Sequence, residues 1–346
     1  MKTEAPTQVT PERIMQFTFG YAPSLILEAA IRHGVFDALD KSPKTAEQVS
    51  AETGASQRGL RAIMNALVGF EFLAKDAQGR YSLTADSAAF LVRGKPGYVG
   101  GFFRHTTELL PKWLQLNEIV RTGRPAVAVN QEGDGSQFFQ GFVEDIFPTS
   151  YPAAQALADV LEVSRADCPI SVLDLAAGSG VWGIALAQKS PHVQVTAVDW
   201  AGVIPVTRQM VERFGVADRF RFVEGDLLKA DFGAGHNIAT LGHILHSEGE
   251  ERSRALLKKT FEALAPGGTI AIAEWLVNEE RTGPPPALIF AVNMLVNTEH
   301  GDTFSFGEIS YWLREAGFEN ARTVDAPGRS PLVLATRPGI KAETRA

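Results

Sequence analysis

Residues 172–180 read Val-Leu-Asp-Leu-Ala-Ala-Gly-Ser-Gly, an apolar run that ends in a carboxylate and turns through small residues. A second apolar run, residues 193–198, is closed by Asp199. Small residues let backbone approach a ligand closely, and an acid at a strand end can hold a pair of ribose hydroxyls. Asp174, Ala176, Gly178 and Asp199 are therefore expected to bind a nucleoside-containing cofactor. Gly178, Gly180 and Gly183 also spell G-x-G-x-x-G, with Asp199 about twenty residues further on, the fingerprint of a dinucleotide site. Asp174 speaks against that reading. A diphosphate would lie on the glycine turn, where an acid one turn earlier repels it. Sulfonium and ammonium cations are attracted by the same acid, which points to S-adenosylmethionine rather than to NAD and an oxidoreductase.

The elements that must position these residues follow from hydrophobic period. From about residue 170 the pattern alternates strand and helix. Strands are expected over 171–175, 194–199, 220–224, 238–241 and 269–274, and helices over 181–188, 204–214 and 250–264. Residues 265–268, Ala-Pro-Gly-Gly, read as a tight turn into the fifth strand. A helix over 306–316 and two antiparallel strands over 321–324 and 332–336 close the pattern. The fold class is α/β, an open, mostly parallel Rossmann-like sheet with helices on both faces. Ligands of such sheets lie at the carboxyl ends of the strands. There the second strand supplies Trp200, the third Asp226 and Leu227, and the fourth Gly242 and His243. Asp199 takes the ribose hydroxyls in this reading, Trp200 and Leu227 flank an adenine, and Asp226 accepts from its exocyclic amine.

The first part of the chain has a different character. Ile14, Phe17, Tyr21, Leu25, Leu27 and Ile31 recur at roughly helical spacing, which predicts one helix over 14–31. A short helix follows over 45–52, then one capped by Ser56 with Leu60, Ile63, Met64 and Leu67 on a face. Residues 72–83 read as a β-hairpin. Residues 1–105 are thus expected to form an otherwise all-helical, winged-helix-like dimerisation domain. Connecting helices over 106–165 would line an acceptor pocket, residues 166–338 form the catalytic domain, and 339–346 are a disordered tail. Residues 123–135 are expected to be a flexible loop. The 14–31 helix is too apolar for a solvated arm, so a homodimer is expected, with Phe17 and Tyr21 lining the partner's pocket. Among the aromatics of 98–162, Phe147 and Tyr151 are candidates to touch substrate.

Composition removes several function classes. A net charge of −7 offers no general attraction to nucleic acid or to an anionic membrane. The second helix of the winged-helix pattern carries only Arg58 and Arg61, which disfavours a ligand-sensing DNA-binding regulator. No apolar run has the length of a membrane span, and no signal peptide is visible in the first twenty residues. The single Cys168 excludes an intrachain disulfide and a Cys-rich metal site. No group of His, Cys and Asp has metal-ligand spacing along the chain, so a metal-independent reaction is expected. A cytoplasmic enzyme fits best.

Residues 173–180 (Leu-Asp-Leu-Ala-Ala-Gly-Ser-Gly), Gly225-Asp226-Leu227, Ile244-Leu245-His246 and residues 264–268 (Leu-Ala-Pro-Gly-Gly) resemble the caffeic-acid/acetylserotonin type of S-adenosylmethionine-dependent O-methyltransferases. The resemblance covers residues 10–338. It implies methyl transfer from S-adenosylmethionine to a hydroxyl of an aromatic or polycyclic small molecule, in a dimer whose N-terminal part closes over the partner's pocket. It further implies a general base at His246, a flanking acid at Glu274 and a pocket methionine at Met294. The chain also departs from the family pattern. Ala176 stands for the first glycine of the turn, Ser247 for the acid after the base, and Glu248 for a tryptophan. Thr303 falls at a second flanking acid, and Thr298 at a substrate-side asparagine. Members altered here methylate carbon or use the cofactor without transferring its methyl, which leaves those two chemistries as alternatives.

The residues also support a base at His246 on chemical grounds. Proton transfer from a phenol (about 10) to an imidazole (about 6.5) is uphill by about 5 kcal/mol. Removal concerted with methyl transfer avoids much of that, and such a base contributes about 10²- to 10⁴-fold. Glu274 would hold the other ring nitrogen, fixing the tautomer. His243, one helical turn earlier, is the rival base and otherwise a substrate contact.

Overall fold

The computed structural model describes residues 9–125, 128, 132–328 and 330–339. It divides the chain into two compact units, residues 1–108 and 109–346.

In the first unit, helices Ala22–Arg32, Val35–Leu39, Ala46–Thr53 and Gln57–Gly69 enclose Ala30, Ile31, Val35, Phe36, Leu60, Met64 and Leu67. Thr45 and Gln48 form a capping box at the start of the third of these, and Ser56 accepts from Gly59 N at the start of the fourth. A hairpin, β1 (Leu73–Lys75) with β2 (Tyr81–Leu83), packs Tyr81 into this core. The single helix expected over 14–31 is two: Glu12–Met15, a run of turns, and Ala22–Arg32. Pro23 is the cause. Its ring fixes φ and lacks an N–H, which suits only the first helical turn, so a new helix starts there. Ile14, Phe17, Phe19 and Tyr21 are left exposed in the chain taken by itself.

The second unit is built on a seven-stranded sheet: β3 (Ile170–Leu175), β4 (Val193–Asp199), β5 (Phe220–Glu224), β6 (His236–Gly242), β7 (Leu264–Ala273), β8 (Glu319–Val324) and β9 (Leu332–Thr336). Their order is β5-β4-β3-β6-β7-β9-β8, with parallel pairing from β5 to β7 and antiparallel pairing at β7–β9 and β9–β8. The chain runs outward from β3 through β4 to β5, then returns to place β6 on the other side of β3. That reversal between β3 and β6 opens a crevice at the carboxyl edge.

Helices cover both faces. Glu132–Val160, Val181–Lys189 and Ile204–Arg213 seal one core, with Leu157, Ile184, Leu186 and Val195; Leu245–Ala263 and Phe306–Ala316 seal the other, with Leu173, Leu241, Leu257, Ile272 and Leu313. Fully burying each such side chain contributes about 1.5–3 kcal/mol. The expected turn at 265–268 is drawn into β7, where Leu264 pairs with His236 across an irregular register. The loop expected over 123–135 is only partly described, and from Glu132 it already belongs to the long helix. Residues 340–346 of the expected tail lie outside the described residues. Among the described residues no helix is long and apolar enough to cross a membrane.

Candidate active site

The crevice begins at the end of β3. Asp174 is fully buried, with Oδ1 accepting from Thr240 Oγ1 at 2.7 Å and Oδ2 from Gly183 N at 3.0 Å. It was expected to face a cation. Its two oxygens instead tie β3 to β6 and to the following helix, so it acts on a ligand through its field and by holding the turn. Burial pushes its pKa up to about 7 against those two hydrogen bonds. The turn itself runs through three residues of positive φ: Ala176 at 51°, Gly178 at 55° and Gly180 at 73°. Ala176 is the strained member, because a Cβ disfavours this region.

Asp199, at the end of β4, closes the turn from the side. Its Oδ2 accepts from Gly178 N and its Oδ1 from Trp200 N, both at 2.7 Å. Burial raises its pKa to about 6 in spite of those bonds. Trp200 beside it is half-buried and stands 6.2 Å from the ring of Phe139.

At the end of β5, Leu227 is buried and Asp226 is already engaged. Asp226 Oδ1 accepts from Leu228 N at 3.0 Å, and Oδ2 accepts from Arg252 Nη2 at 2.8 Å. Arg252 also donates to the buried Glu248 at 2.6 Å, which gives this unusual acid a counter-charge one helical turn away. Burial opposes ionisation of Asp226, but the Arg252 hydrogen bond and charge win, and its pKa lies below the ordinary value. Gly242 ends β6 against the indole of Trp182, where a Cβ would fall 1.9 Å from Nε1. Only glycine fits at that position.

The chemistry-bearing pair lies at the ends of β6 and β7. His246 Nδ1 is 2.7 Å from Glu274 Oε2, and His246 N donates to Glu274 Oε1 at 3.3 Å. Both residues are buried. Burial disfavours the Glu274 carboxylate, yet the charge of and hydrogen bond from His246 prevail, and its pKa is lowered. An ionised Glu274 holds the Nδ1 proton and leaves the Nε2 lone pair of His246 free to accept one. The helix starts at Leu245 behind Ile244, so His246 is not its cap. Gly249 breaks that helix at φ 76°, with a Cβ there landing 2.5 Å from His300 O. The close approach lets Asp302 N donate to His246 O at 2.9 Å, so the 298–303 segment fixes the base from behind.

His243 lies beside this pair, its ring centroid 6.3 Å from that of His246. The chain shows no metal-ligand spacing in sequence, but the fold does bring His243, His246 and Glu274 within 4.8 Å of one another. These atoms could be drawn onto a divalent cation, although the His246–Glu274 hydrogen bond already engages two of the three groups as an acid–base dyad.

Three expected substrate contacts have other surroundings. Phe147 stacks on Tyr151 at 5.0 Å and on Phe214 at 4.8 Å, inside the core against the Ile204–Arg213 helix. The Tyr151 hydroxyl bonds Gln188. Both are packing residues here. The Thr298 hydroxyl donates to Met294 O at 2.7 Å and accepts from Gly301 N at 2.9 Å, closing a helix end instead of facing a pocket. Tyr21 is exposed in the chain taken by itself, and its expected contact is with a partner's pocket. Met294 is buried on the Pro285–Asn297 helix.

Two aromatic residues escaped sequence reasoning. Phe290 meets the His246 ring edge-on at 4.8 Å, and Trp275 stacks on Phe290 at 4.5 Å. The position of Trp275, directly after the strand-end Glu274, was the available signal. Thr240 and Arg252, which engage Asp174 and Asp226, also went unread, because neither carries a local motif.

A mostly parallel sheet with acids at adjacent strand ends, a small-residue turn and a His–Glu dyad at the same edge is the arrangement of a nucleoside-cofactor enzyme of the Rossmann-like class. Residues 114–319 match the family of the O-methyltransferase domain, and residues 15–93 that of the O-methyltransferase dimerisation domain. The 3-hydroxy-5-methyl-1-naphthoate 3-O-methyltransferase of Streptomyces sahachiroi is 30% identical over 97% of each chain. Among solved structures, a Nostoc punctiforme protein assigned as an O-methyltransferase superposes with TM-score 0.87 and 28% identity, over 95% of this chain and 100% of the other. Human N-acetylserotonin methyltransferase in complex with S-adenosylmethionine has the same fold, with TM-score 0.81, 24% identity and coverage of 97% and 99%. The chain belongs to the O-methyltransferase family and is an S-adenosylmethionine-dependent enzyme.

The residues present fit that cofactor. The turn over 176–180 carries no large side chain, Asp199 keeps an acceptor site on each oxygen for hydroxyls, and two acids suit a cationic group better than a diphosphate.

Proposed function

We propose that this enzyme methylates a hydroxyl of an aromatic or polycyclic small molecule, with His246 as general base and Glu274 as its orienting acid. The observation that carries the reading is the 2.7 Å His246–Glu274 pair at the strand edge that also bears the glycine turn and Asp199. S-adenosylmethionine supplies an electrophilic methyl group on a cationic sulfur. The chain's own part is to hold, orient and deprotonate. Asp199 takes the ribose hydroxyls, the small residues Ala176 and Gly178 let the cofactor lie close to the turn, and Trp200 and Leu227 flank the adenine. Asp226 offers its remaining lone pairs to the exocyclic amine. His246 Nε2 takes the acceptor's proton as the oxygen is methylated, and Glu274 steadies the imidazolium so formed. Phe290, Trp275 and Met294 give a flat ring an apolar bed, and water is kept from the base by the same side chains. Positioning of this kind adds to the base, since effective molarities reach about 10⁵ M and beyond.

The exposed Ile14, Phe17, Phe19 and Tyr21 fit burial in a homodimer of this cytoplasmic enzyme. The test is an acceptor panel of phenols, naphthols and hydroxyquinones incubated with S-adenosylmethionine, with products read by mass spectrometry and carbon NMR. A methoxy product is expected. A carbon-bound methyl, or no product from a protein that binds the cofactor, would replace this reading by one of the two alternatives.

A further inference from the structure

His243 has two features that packing alone does not ask for. It is a residue with a Cβ held in the left-handed region, at φ 61°. Its Nδ1 is sealed from solvent and has no hydrogen-bond partner among the described residues. Strain and an orphaned polar atom on one residue mark a position kept for function. The backbone cause is visible: His243 N donates to Ala273 O at 2.8 Å, which turns the chain off the end of β6 and leaves the ring beside His246.

The chemistry of the ring follows from its surroundings. An unprotonated nitrogen tolerates a sealed, partnerless position better than an N–H does, so the proton belongs on Nε2. Burial holds the imidazole down at about 4, so around pH 7 it is neutral and Nε2–H is its one donor. A donor of this kind calls for an oxygen acceptor. The ionised Glu274 nearby disfavours a second carboxylate, which leaves a neutral carbonyl.

We propose that His243 binds a carbonyl oxygen of the methyl acceptor, ortho or peri to the hydroxyl at His246, so that aromatic hydroxy-carbonyl compounds are preferred over isolated phenols. This rests on the O-methylation reading above. One nitrogen of each imidazole and an oxygen of Glu274 lie within 4.8 Å of one another. The two imidazole rings stand with centroids 6.3 Å apart, a separation that ortho or peri oxygens of one ring system can span with a hydrogen bond of about 2.8 Å to each ring. The contact has a chemical consequence. A free ortho carbonyl holds the hydroxyl proton internally, and engaging that carbonyl releases the proton to His246.

The test compares methyl 3-hydroxy-2-naphthoate with 2-naphthol, which lacks only the ester. The full-length protein should favour the ester by at least about 3- to 10-fold in kcat/KM, the worth of one neutral hydrogen bond. In His243→Asn, whose short side chain tolerates the left-handed backbone but withdraws the donor, that preference should vanish mainly through KM. Turnover of 2-naphthol corrects for general damage. Calorimetry of both compounds on the complex with S-adenosylhomocysteine reads the same contact without turnover. Equal affinity of the two in the wild-type protein overturns the proposal, as does an equal loss of both in His243→Asn. A binding preference without methylated product would support this contact and overturn the O-methylation reading instead.

Discussion

Asp199→Ala removes the carboxylate that closes the glycine turn, and the size of the effect can be worked from its bonds. Each of its oxygens accepts one backbone N–H at 2.7 Å, from Gly178 and from Trp200. A carboxylate has about four acceptor sites, so one on each oxygen stays open for a pair of ribose hydroxyls. Hydrogen bonds to a charged group contribute about 1.5–3 kcal/mol each. Water competes for the open sites in the unliganded protein, so the net loss for the pair is set near a single bond, about 1.5–3 kcal/mol. That is a rise in Kd of about 10- to 150-fold. Alanine also strips two backbone N–H groups of their partner, which should lower unfolding stability by about 1–2 kcal/mol. Calorimetry with S-adenosylhomocysteine measures the first quantity and urea unfolding the second. A Kd within threefold of wild type, in a protein that still unfolds cooperatively, would refute the assignment of Asp199 to the ribose.

Ala176→Gly relieves a φ of 51° worth about 1–2 kcal/mol, against about 0.4–1 kcal/mol for a freer unfolded chain. A gain of about 0.5–1 kcal/mol in urea unfolding is expected, and a loss would show that the turn is not strained. Burial lifts Asp174 to about 7 and Asp199 to about 6, so the native protein keeps protons that the unfolded chain releases near pH 4. Their contribution to stability is complete below about pH 4 and is lost as pH rises through 6 and 7. Over that same window the affinity for cationic S-adenosylmethionine should rise relative to neutral S-adenosylhomocysteine; a ratio that stays flat from pH 5.5 to 8 contradicts this. Glu274→Gln keeps an acceptor for the ring nitrogen but no charge, and turnover should fall by about 10- to 100-fold, less than for loss of the base itself.

The five parallel strands were legible because each is a short, largely apolar run with an acid or a glycine at or beside its end, and those strand ends carry the site. Asp199 could be placed from that pattern, whereas His246 and Glu274 were placed by the family resemblance, with acid–base chemistry in support. What local pattern hid was set by tertiary partners. Asp174 looked like a ligand-facing acid until Thr240, on β6, and Gly183, on the next helix, took its two oxygens. Phe147 and Tyr151 have the composition of pocket residues, yet the face of their helix turns them onto Phe214. Thr298 was assigned by the family resemblance, and its hydroxyl proved to belong to a helix end. The break at Pro23 was readable and overlooked, since the apolar period continues across it. The metal-like grouping of His243, His246 and Glu274 had no sequence signal, because its glutamate comes from a different strand end.

The most direct measurement places methyl transfer and cofactor affinity side by side in wild type and His246→Ala. The base and its acid lie just beyond the ends of β6 and β7, while Asp199 ends β4 and the glycine turn follows β3, so the two functions should separate. Turnover of an accepted hydroxyl substrate should fall by about 10²- to 10⁴-fold, with the Kd for S-adenosylhomocysteine unchanged within threefold. Full methyl transfer by His246→Ala, or a loss of turnover matched by an equal loss of cofactor affinity, would contradict the assignment of His246 as the base.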